Sequence, residues 1–134
     1  METEGGIKMY SIAIERQFKA QHYLIGGDWG AENKTHAHQY KVEVRVRGKT
    51  LDEHGYLLDI VELEQAFEKI IACYRGRVLN DLYEFAELNP SIEHLSRILF
   101  QNLRKFINTP NIRSMRVKVW ESTIAWSAYE EDWQ

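Results

Sequence analysis

Residues 36–47 read HAHQYKVEVRVR, and polar and apolar side chains alternate along this stretch almost without a break. From residue 38 to residue 47, one set of alternate positions holds His38, Tyr40 and three valines, whereas the other holds glutamine and charged residues. Successive side chains of a β-strand point to opposite faces, so the pattern predicts a strand with one buried face. Two histidines, His36 and His38, stand two residues apart at its beginning, where a strand would direct both to the same side.

The residues before this strand predict a second strand and a long loop. Residues 7–18 favour a strand because their large apolar side chains share one parity. These side chains are Tyr10, Ile12, Ile14 and Phe18. Three glycines between residues 26 and 30 then indicate a loop that continues to about residue 35. Long loops inside compact domains usually carry function.

Two amphipathic helices are predicted after the alternating strand. The first is expected over residues 60–74, with Asp59 as its N-cap and Glu62 completing a capping box. Its predicted core stripe is Ile60, Leu63, Phe67, Ile70 and Ile71. The second is expected to begin after Ser91 as N-cap and to end before the Thr-Pro-Asn turn at residues 109–111. Its predicted apolar face is Leu95, Ile98, Leu99, Leu103 and Phe106.

Two closing strands complete the pattern, over residues 112–121 and 124–129. The order β-β-α-α-β-β predicts a single α+β domain over residues 1–134, with one antiparallel sheet and both helices on one face. Such a sheet has two outer edges, and exposed edges are a hazard unless they are covered or paired. Pairing between subunits is the simplest solution, so we expect a homo-oligomer.

Composition excludes several classes of protein. The chain has 17 basic and 20 acidic residues and a net charge of −3, which argues against a nucleic-acid partner. No apolar run approaches the roughly 20 residues that span a bilayer. Residues 1–6 lack the basic and apolar parts of a signal peptide, so a cytoplasmic location is expected. The one cysteine, Cys73, follows two isoleucines, which favours a buried thiol and excludes an intrachain disulfide.

The histidines are the main chemical feature of the sequence. His36 and His38 would point to one side of their strand, and His22 could supply a third imidazole from elsewhere. Three neutral nitrogens with an open fourth position are typical of catalytic zinc, whereas structural zinc usually has four protein ligands, many of them thiolates. A structural interpretation is also open, in which His36 and His38 flank a strand and His22 packs against Tyr23.

Several short motifs resemble one known family across nearly the whole chain. They are Phe18-x-Ala20-x-His22, His36-x-His38-x-Tyr40, Gly55-Tyr56-Leu57-Leu58-Asp59, Leu79-Asn80, Pro90-Ser91-x-Glu93 and Val117-x-Val119-x-Glu121. In these features the chain resembles the 6-pyruvoyl-tetrahydropterin synthase and 6-carboxytetrahydropterin synthase family. The resemblance implies the tunnelling fold, in which trimers close their sheets into a barrel and usually stack as hexamers. Active sites then lie between subunits.

The resemblance also implies roles for particular residues. The three histidines, His22, His36 and His38, would hold Zn²⁺, and Glu121 would anchor a pterin ring. A carboxylate opposite the guanidine-like edge of a pterin forms a bidentate, charge-assisted pair. Ser91 and Glu93 would assist at the pterin site, although an N-cap and a favourable charge at a helix N-terminus explain both residues equally well.

The chain departs from the family pattern where protons are moved. Glu32 stands four residues before His36, where relatives commonly have a catalytic cysteine. Arg75 and Gly76 occupy the positions of the usual Asp-His relay, and Ala37 replaces a glycine between the paired histidines. The expected metal ligands and substrate anchor are therefore present without the usual acid and base groups.

Three hypotheses follow. In the first, Glu32 is the base of a lyase that cleaves the side chain of dihydroneopterin triphosphate or a related pterin and forms 6-hydroxymethyl-dihydropterin. In the second, the chain binds zinc and a pterin or purine-like base without catalysis, and Arg75 and Arg77 bind an anion or lie in solvent. In the third, the metal is structural and has a fourth protein ligand. Outside the first hypothesis, Glu32 is an ordinary residue of a surface loop.

Overall fold

A computed structural model describes residues 8–133 as one antiparallel sheet with two helices. The elements are β1 (Tyr10–His22), β2 (His36–Gly48), α1 (Ile60–Ala72), α2 (Ile92–Arg104), β3 (Ser114–Trp120) and β4 (Trp126–Asp132). The four strands lie in the order β1-β2-β3-β4, and each neighbouring pair is antiparallel. The predicted element order and the α+β class are confirmed.

The core forms on the face of the sheet that the helices cover. Val42, Val44 and Val46 of β2 are fully buried, and they lie opposite buried apolar residues of β3. The opposite face carries charged side chains, among them Arg45, whose guanidinium lies 3.1 Å from a carboxylate oxygen of Glu130. The alternation in residues 38–47 thus separates a helix-facing apolar side from a polar side, as predicted.

Both helix starts follow the sequence prediction. The Asp59 carboxylate accepts a hydrogen bond from the backbone N–H of Val61, and the Ser91 hydroxyl accepts one from the N–H of His94. These caps satisfy donors that have no partner within the helix itself. They also fix where α1 and α2 begin against the sheet.

The first strand runs further than predicted. Its prediction over residues 7–18 began and stopped too early, since β1 runs from Tyr10 to His22 and residues 8 and 9 precede it, while residue 7 lies outside the described part of the chain. Pairing with β2 continues to the end of β1, where His22 lies opposite His36, and residues 76 and 77 pair with its other edge; the local pattern reveals neither partner. The backbone N–H of Gln21 donates to the carbonyl of Arg77 at 2.8 Å, and the N–H of Gly76 donates to the carbonyl of Lys19 at 2.7 Å. This pairing extends β1 and places His22 on regular strand geometry.

Three burial predictions were wrong, all near helix ends. Ile60 is 46% exposed because it occupies the first turn of α1, one turn before the core begins at Leu63. Phe106 is 48% exposed because α2 ends at Arg104. Cys73 is an exposed free thiol at the C-cap of α1, and Tyr74 takes the inward position beside it.

The strands β1 and β4 form the two outer edges of the sheet. Residues 76–78 cover part of the outer edge of β1 through the bridge between Gln21 and Val78. In the described range, neither helix has the combination of length and apolar character needed to cross a bilayer.

Candidate functional site

The structure brings the three predicted histidines together. His22 at the end of β1 lies directly opposite His36 at the start of β2, and His38 lies opposite Ala20. The ring centroids of His22 are 4.6 Å from those of both His36 and His38, and the last two are 4.9 Å apart. Antiparallel pairing therefore converts two motifs that are far apart in sequence into one cluster on the core side of the sheet.

Glu32 joins this cluster from the loop between β1 and β2. It lies in a single 3₁₀ turn, Gly30–Asn33, and its Oε1 is 3.3 Å from Nε2 of His36. His22, Glu32, His36 and His38 each offer one ligand atom, and these atoms all lie within 4.8 Å of one another. The candidate base and the candidate metal ligands thus share one site.

The ring nitrogens of the cluster suit a metal ion. Nδ1 of His36 lies 2.7 Å from the carbonyl oxygen of Lys34. A carbonyl only accepts, so Nδ1 carries the hydrogen and Nε2 of the neutral ring has a free lone pair. Nε2 of His36 and Nε2 of His38 are both buried and make no hydrogen bond with any residue in the described range. A divalent cation between the rings would satisfy these nitrogens, so the residues fit zinc.

His22 is the buried member of the cluster, with 2% of its surface exposed. Burial, together with the neighbouring charges that His38 and His36 carry when protonated, lowers its pKa from 6.5 to about 4, although the Glu32 carboxylate opposes this shift. His22 is therefore neutral at neutral pH. A neutral imidazole is the form that binds metal.

The metal-free protein is expected to lose stability in mild acid through His22. In the unfolded chain His22 takes up a proton near pH 6.5, whereas in the folded protein it stays neutral until the pH falls to about 4. Neutral His22 therefore contributes its full stabilisation of the folded protein above its unfolded pKa, and this contribution is lost as the pH falls through this window. At about pH 4.5 the free energy of unfolding should be lower by about 2 kcal/mol. Denaturant unfolding of metal-free wild type and of His22→Gln at both ends of the window measures this difference. His54→Gln, which removes an exposed histidine, should behave like wild type, whereas equal acid sensitivity of all three proteins would contradict the assignment.

Glu121 lies beside the histidine cluster. Its Oε1 is 3.8 Å from Nε2 of His38, and 39% of its side chain is exposed. It follows the last residue of β3 and continues the parity of Val117 and Val119, which face the core. The same parity directs Glu121 toward the side of the sheet that carries the histidines. A partly exposed carboxylate in this position is accessible to a ligand that also reaches the cluster.

Ser91 and Glu93 lie at the start of α2. The Ser91 hydroxyl caps the helix through His94, and the Glu93 carbonyl accepts a hydrogen bond from the Ser96 hydroxyl at 2.9 Å. Within the described residues, the group that could hold a metal includes neither of them. Their contribution to a pterin site remains a prediction.

The positions of the usual relay contain no proton-transfer pair. The Arg75 guanidinium lies 3.0 Å from a carboxylate oxygen of Glu68, and the arginine side chain is 47% exposed. Gly76 has a φ of 73°, a backbone conformation that favours glycine. The backbone of Gly76 and Arg77 instead pairs with the end of β1, so the role of these two residues near the site is structural.

Sequence reasoning missed two asparagines that hold the loop after His22. The Asn80 side chain accepts from the N–H of Tyr23 at 3.0 Å and donates to its carbonyl at 2.9 Å. Asn89 binds the N–H and carbonyl of Ile25 in the same manner, at 2.7 and 3.1 Å. Each amide thus replaces a neighbouring strand for one residue of the chain. In the sequence Asn80 stands out only through the Leu79-Asn80 family motif, and its partner Tyr23 is 57 residues away.

A third asparagine, Asn33, organises the loop itself. Its amide donates to the carbonyls of Leu24 and Gly27, both at 3.0 Å, and its side-chain oxygen accepts from the N–H of Trp29 at 2.7 Å. The N–H of Leu24 also donates to the carbonyl of Glu32 at 2.9 Å. These contacts fix the turn that presents Glu32 to the histidines.

Comparison with known proteins gives a consistent family assignment. The family model described as 6-pyruvoyl tetrahydropterin synthase matches residues 11–132. An Archaeoglobus fulgidus protein provisionally named 6-carboxy-5,6,7,8-tetrahydropterin synthase is 29% identical over 116 residues, which are 87% of this chain and 91% of that protein.

Solved structures agree on the fold. The chain is similar to Caenorhabditis elegans 6-pyruvoyl tetrahydropterin synthase with a TM-score of 0.80 and 20% identity, over 94% of this chain and 98% of that one. It is also similar to a variant of Plasmodium vivax 6-pyruvoyltetrahydropterin synthase in which a catalytic glutamate is replaced by alanine. That match has a TM-score of 0.79 and 16% identity, over 94% of this chain and 99% of the other.

Proposed function

Because the chain belongs to the 6-pyruvoyl tetrahydropterin synthase family, we propose that it is a zinc-dependent lyase acting on the side chain of dihydroneopterin triphosphate or a related pterin. The observation that carries this proposal is the position of Glu32. Its carboxylate lies in one group with His22, His36 and His38, and the family resemblance implies that relatives commonly have a cysteine at its position. A carboxylate there provides a base without a thiol.

The three histidines are proposed to hold the zinc ion. Two of them, His36 and His38, present buried Nε2 atoms that lack hydrogen bonds within the described range. Bound zinc would supply Lewis acidity, which stabilises negative charge on a nearby oxygen. The set of three imidazoles leaves room for a further ligand if Glu32 does not bind the metal itself.

Glu32 is proposed to move the protons of a retro-aldol cleavage. It would take the proton of the second side-chain hydroxyl of the substrate. The bond between the first and second side-chain carbons would break, a carbonyl would form at the second carbon, and the electron pair would pass toward the pterin ring. Return of the proton to the first carbon would give 6-hydroxymethyl-dihydropterin and a two-carbon aldehyde carrying the triphosphate. No oxidant or reductant is required.

Two observations support Glu32 as this base. Its side chain is 53% exposed, so a substrate can reach the carboxylate while it lies 3.3 Å from His36. A catalytic glutamate is also known in the Plasmodium vivax enzyme, which has the same fold. General bases contribute about 10²–10⁴-fold to a rate when they are well positioned.

Glu121 is proposed to anchor the pterin ring. Its carboxylate could pair with the 2-amino group and the ring N–H of the pterin through two hydrogen bonds, the strongest orienting contact available to a carboxylate. Its position 3.8 Å from His38 would then direct the substrate side chain toward the histidine cluster. Ser91 and Glu93 are proposed as further contacts to the ring.

The active form is proposed to be a homo-oligomer, a trimer or hexamer. The edge strand β4, and β1 along the part that residues 76–78 do not cover, offer outer edges that a neighbouring copy can pair. Repetition of this contact would close the sheets into a barrel and bring further side chains to each site.

The product formed from dihydroneopterin triphosphate tests the proposed reaction. Mass spectrometry after incubation with zinc-loaded protein should detect 6-hydroxymethyl-dihydropterin together with the triphosphorylated two-carbon aldehyde. Protein freed of metal is the matched control and should form neither. A pyruvoyl or carboxy product would overturn cleavage by Glu32 in favour of the chemistry for which relatives are named.

A binding function without catalysis is the second candidate. The observation in its favour is the loss of the relay, since Gly76 has no side chain and Arg75 is paired with Glu68. Pterin binding that depends on Glu121, with no product from any of the family's substrates, would establish this function instead.

A further inference from the structure

We propose that Tyr40 is a positioning residue of the metal site, which holds the His22 ring through its hydroxyl so that the other ring nitrogen meets the ion. The inference rests on the zinc site of the proposed function and adds a residue to which that function gives no role. Tyr40 belongs to the motif that begins at His36, yet no ligand or catalytic role explains a tyrosine there.

The contact is short and inaccessible to water. The Tyr40 hydroxyl oxygen lies 2.8 Å from Nδ1 of His22. Tyr40 is fully buried and His22 is 2% exposed, so solvent cannot replace either partner. Polar groups buried in this way are costly unless they are hydrogen-bonded to each other.

Strand register explains why this tyrosine reaches this histidine. Tyr40 lies opposite Phe18 on β1, and His22 lies four residues further along the same face. The residue between them on that face is Ala20, whose small side chain leaves space above the strand. The tyrosine ring therefore extends along β1 toward His22 and ends at its Nδ1.

The direction of the hydrogen bond follows from metal binding at Nε2. A neutral ring that gives its Nε2 lone pair to a metal keeps its hydrogen on Nδ1, and His22 then donates to the Tyr40 oxygen. The phenol oxygen of Tyr40 has lone pairs that accept this hydrogen, at the observed distance of 2.8 Å. His36 is held similarly, with Nδ1 against the Lys34 carbonyl at 2.7 Å. Oxygen partners on the second nitrogen are a general means of orienting metal-binding histidines.

The chain contains a matched control for this tyrosine. Tyr74 is also buried, and its hydroxyl also makes hydrogen bonds: it donates to a Glu84 carboxylate oxygen at 3.0 Å and accepts from the Asn102 side-chain amide at 2.6 Å. These partners lie outside the histidine cluster. Tyr40→Phe and Tyr74→Phe therefore each remove one buried, hydrogen-bonded hydroxyl, and only the first removes a contact to a proposed ligand.

Zinc affinity measured by competition with a chromophoric chelator tests the inference, with thermal unfolding followed in parallel. Tyr40→Phe should bind zinc about 10–100-fold more weakly than wild type, as is typical when an outer-shell partner of a metal ligand is lost. Tyr74→Phe should bind zinc as wild type does, even if it unfolds at a lower temperature. Unchanged affinity in Tyr40→Phe would overturn the positioning role while leaving the zinc site intact, whereas absence of zinc binding in wild type would overturn both.

A second measurement requires no change to Tyr40. In zinc-loaded wild type, nitrogen-detected NMR of the imidazoles should show a slowly exchanging Nδ1–H that disappears in His22→Gln. Metal coordination of His22 through Nδ1 would overturn the inference, because that nitrogen would then be unable to donate to Tyr40.

Discussion

Replacement of Glu32 by glutamine is expected to lower turnover of dihydroneopterin triphosphate by about 10²–10⁴-fold while zinc remains bound. Glutamine preserves the size and polarity of the side chain but cannot accept the proton of a substrate hydroxyl. The 3₁₀ turn around residue 32 is held by backbone contacts and by Asn33, so the loop should keep its conformation. The loss should therefore appear in kcat rather than in folding.

Two assays on the same samples distinguish the possible roles of Glu32. Product formation is followed by mass spectrometry, and zinc per subunit is measured by elemental analysis. Glu53→Gln, which changes an exposed carboxylate outside the metal-capable group, is the matched control and should retain activity and zinc.

Each alternative role of Glu32 predicts a different result in this experiment. Full activity in Glu32→Gln would mean that Glu32 is an ordinary residue of a surface loop. Loss of zinc together with activity would mean that Glu32 is the fourth ligand of a closed site, because its carboxylate lies near enough to the histidine nitrogens to bind the same ion. The metal would then be structural.

Local pattern predicts much of the fold because β1, β2, β3 and both helices each have a clear inner face. The alternation of residues 38–47 predicted the central strand, and Asp59 and Ser91 predicted both helix starts. Pattern fails where an element continues beyond the core or needs a distant partner. Cys73 follows buried residues, yet the helix ends there and the thiol faces solvent.

Local sequence patterns predict the candidate site less well than they predict the fold. Spacing indicates that His36 and His38 share a face, but it does not say which histidine joins them. That choice depends on the register of β1 against β2, which places His22 opposite His36. The position of Glu32 depends on the loop between the strands, which contacts made by Asn33, Asn80 and Asn89 hold in place. The family resemblance predicted that these side chains share one site, which hydrophobic periodicity alone does not predict.

Replacement of Glu121 by glutamine is expected to lower kcat/KM by about 10²-fold, mainly through a higher KM, while zinc content stays unchanged. A carboxylate can accept two hydrogen bonds from the pterin edge, whereas an amide can accept at one atom and places a donor against the other. A hydrogen bond to a charged group typically contributes about 1.5–3 kcal/mol, so the reduction in affinity should be easily measured.

Direct titration with a fluorescent pterin separates binding by Glu121 from chemistry, since it requires no turnover. Glu121→Gln should bind the pterin more weakly, whereas Glu32→Gln and the control Glu53→Gln should bind it as wild type does. Unchanged pterin affinity together with a lower kcat would assign Glu121 to proton transfer instead of anchoring. Glu32 and Glu121 lie near different histidines, His36 at 3.3 Å and His38 at 3.8 Å. If Glu32→Gln lowers kcat and Glu121→Gln raises KM, the cluster holds the reacting side chain on one side and the pterin ring on the other.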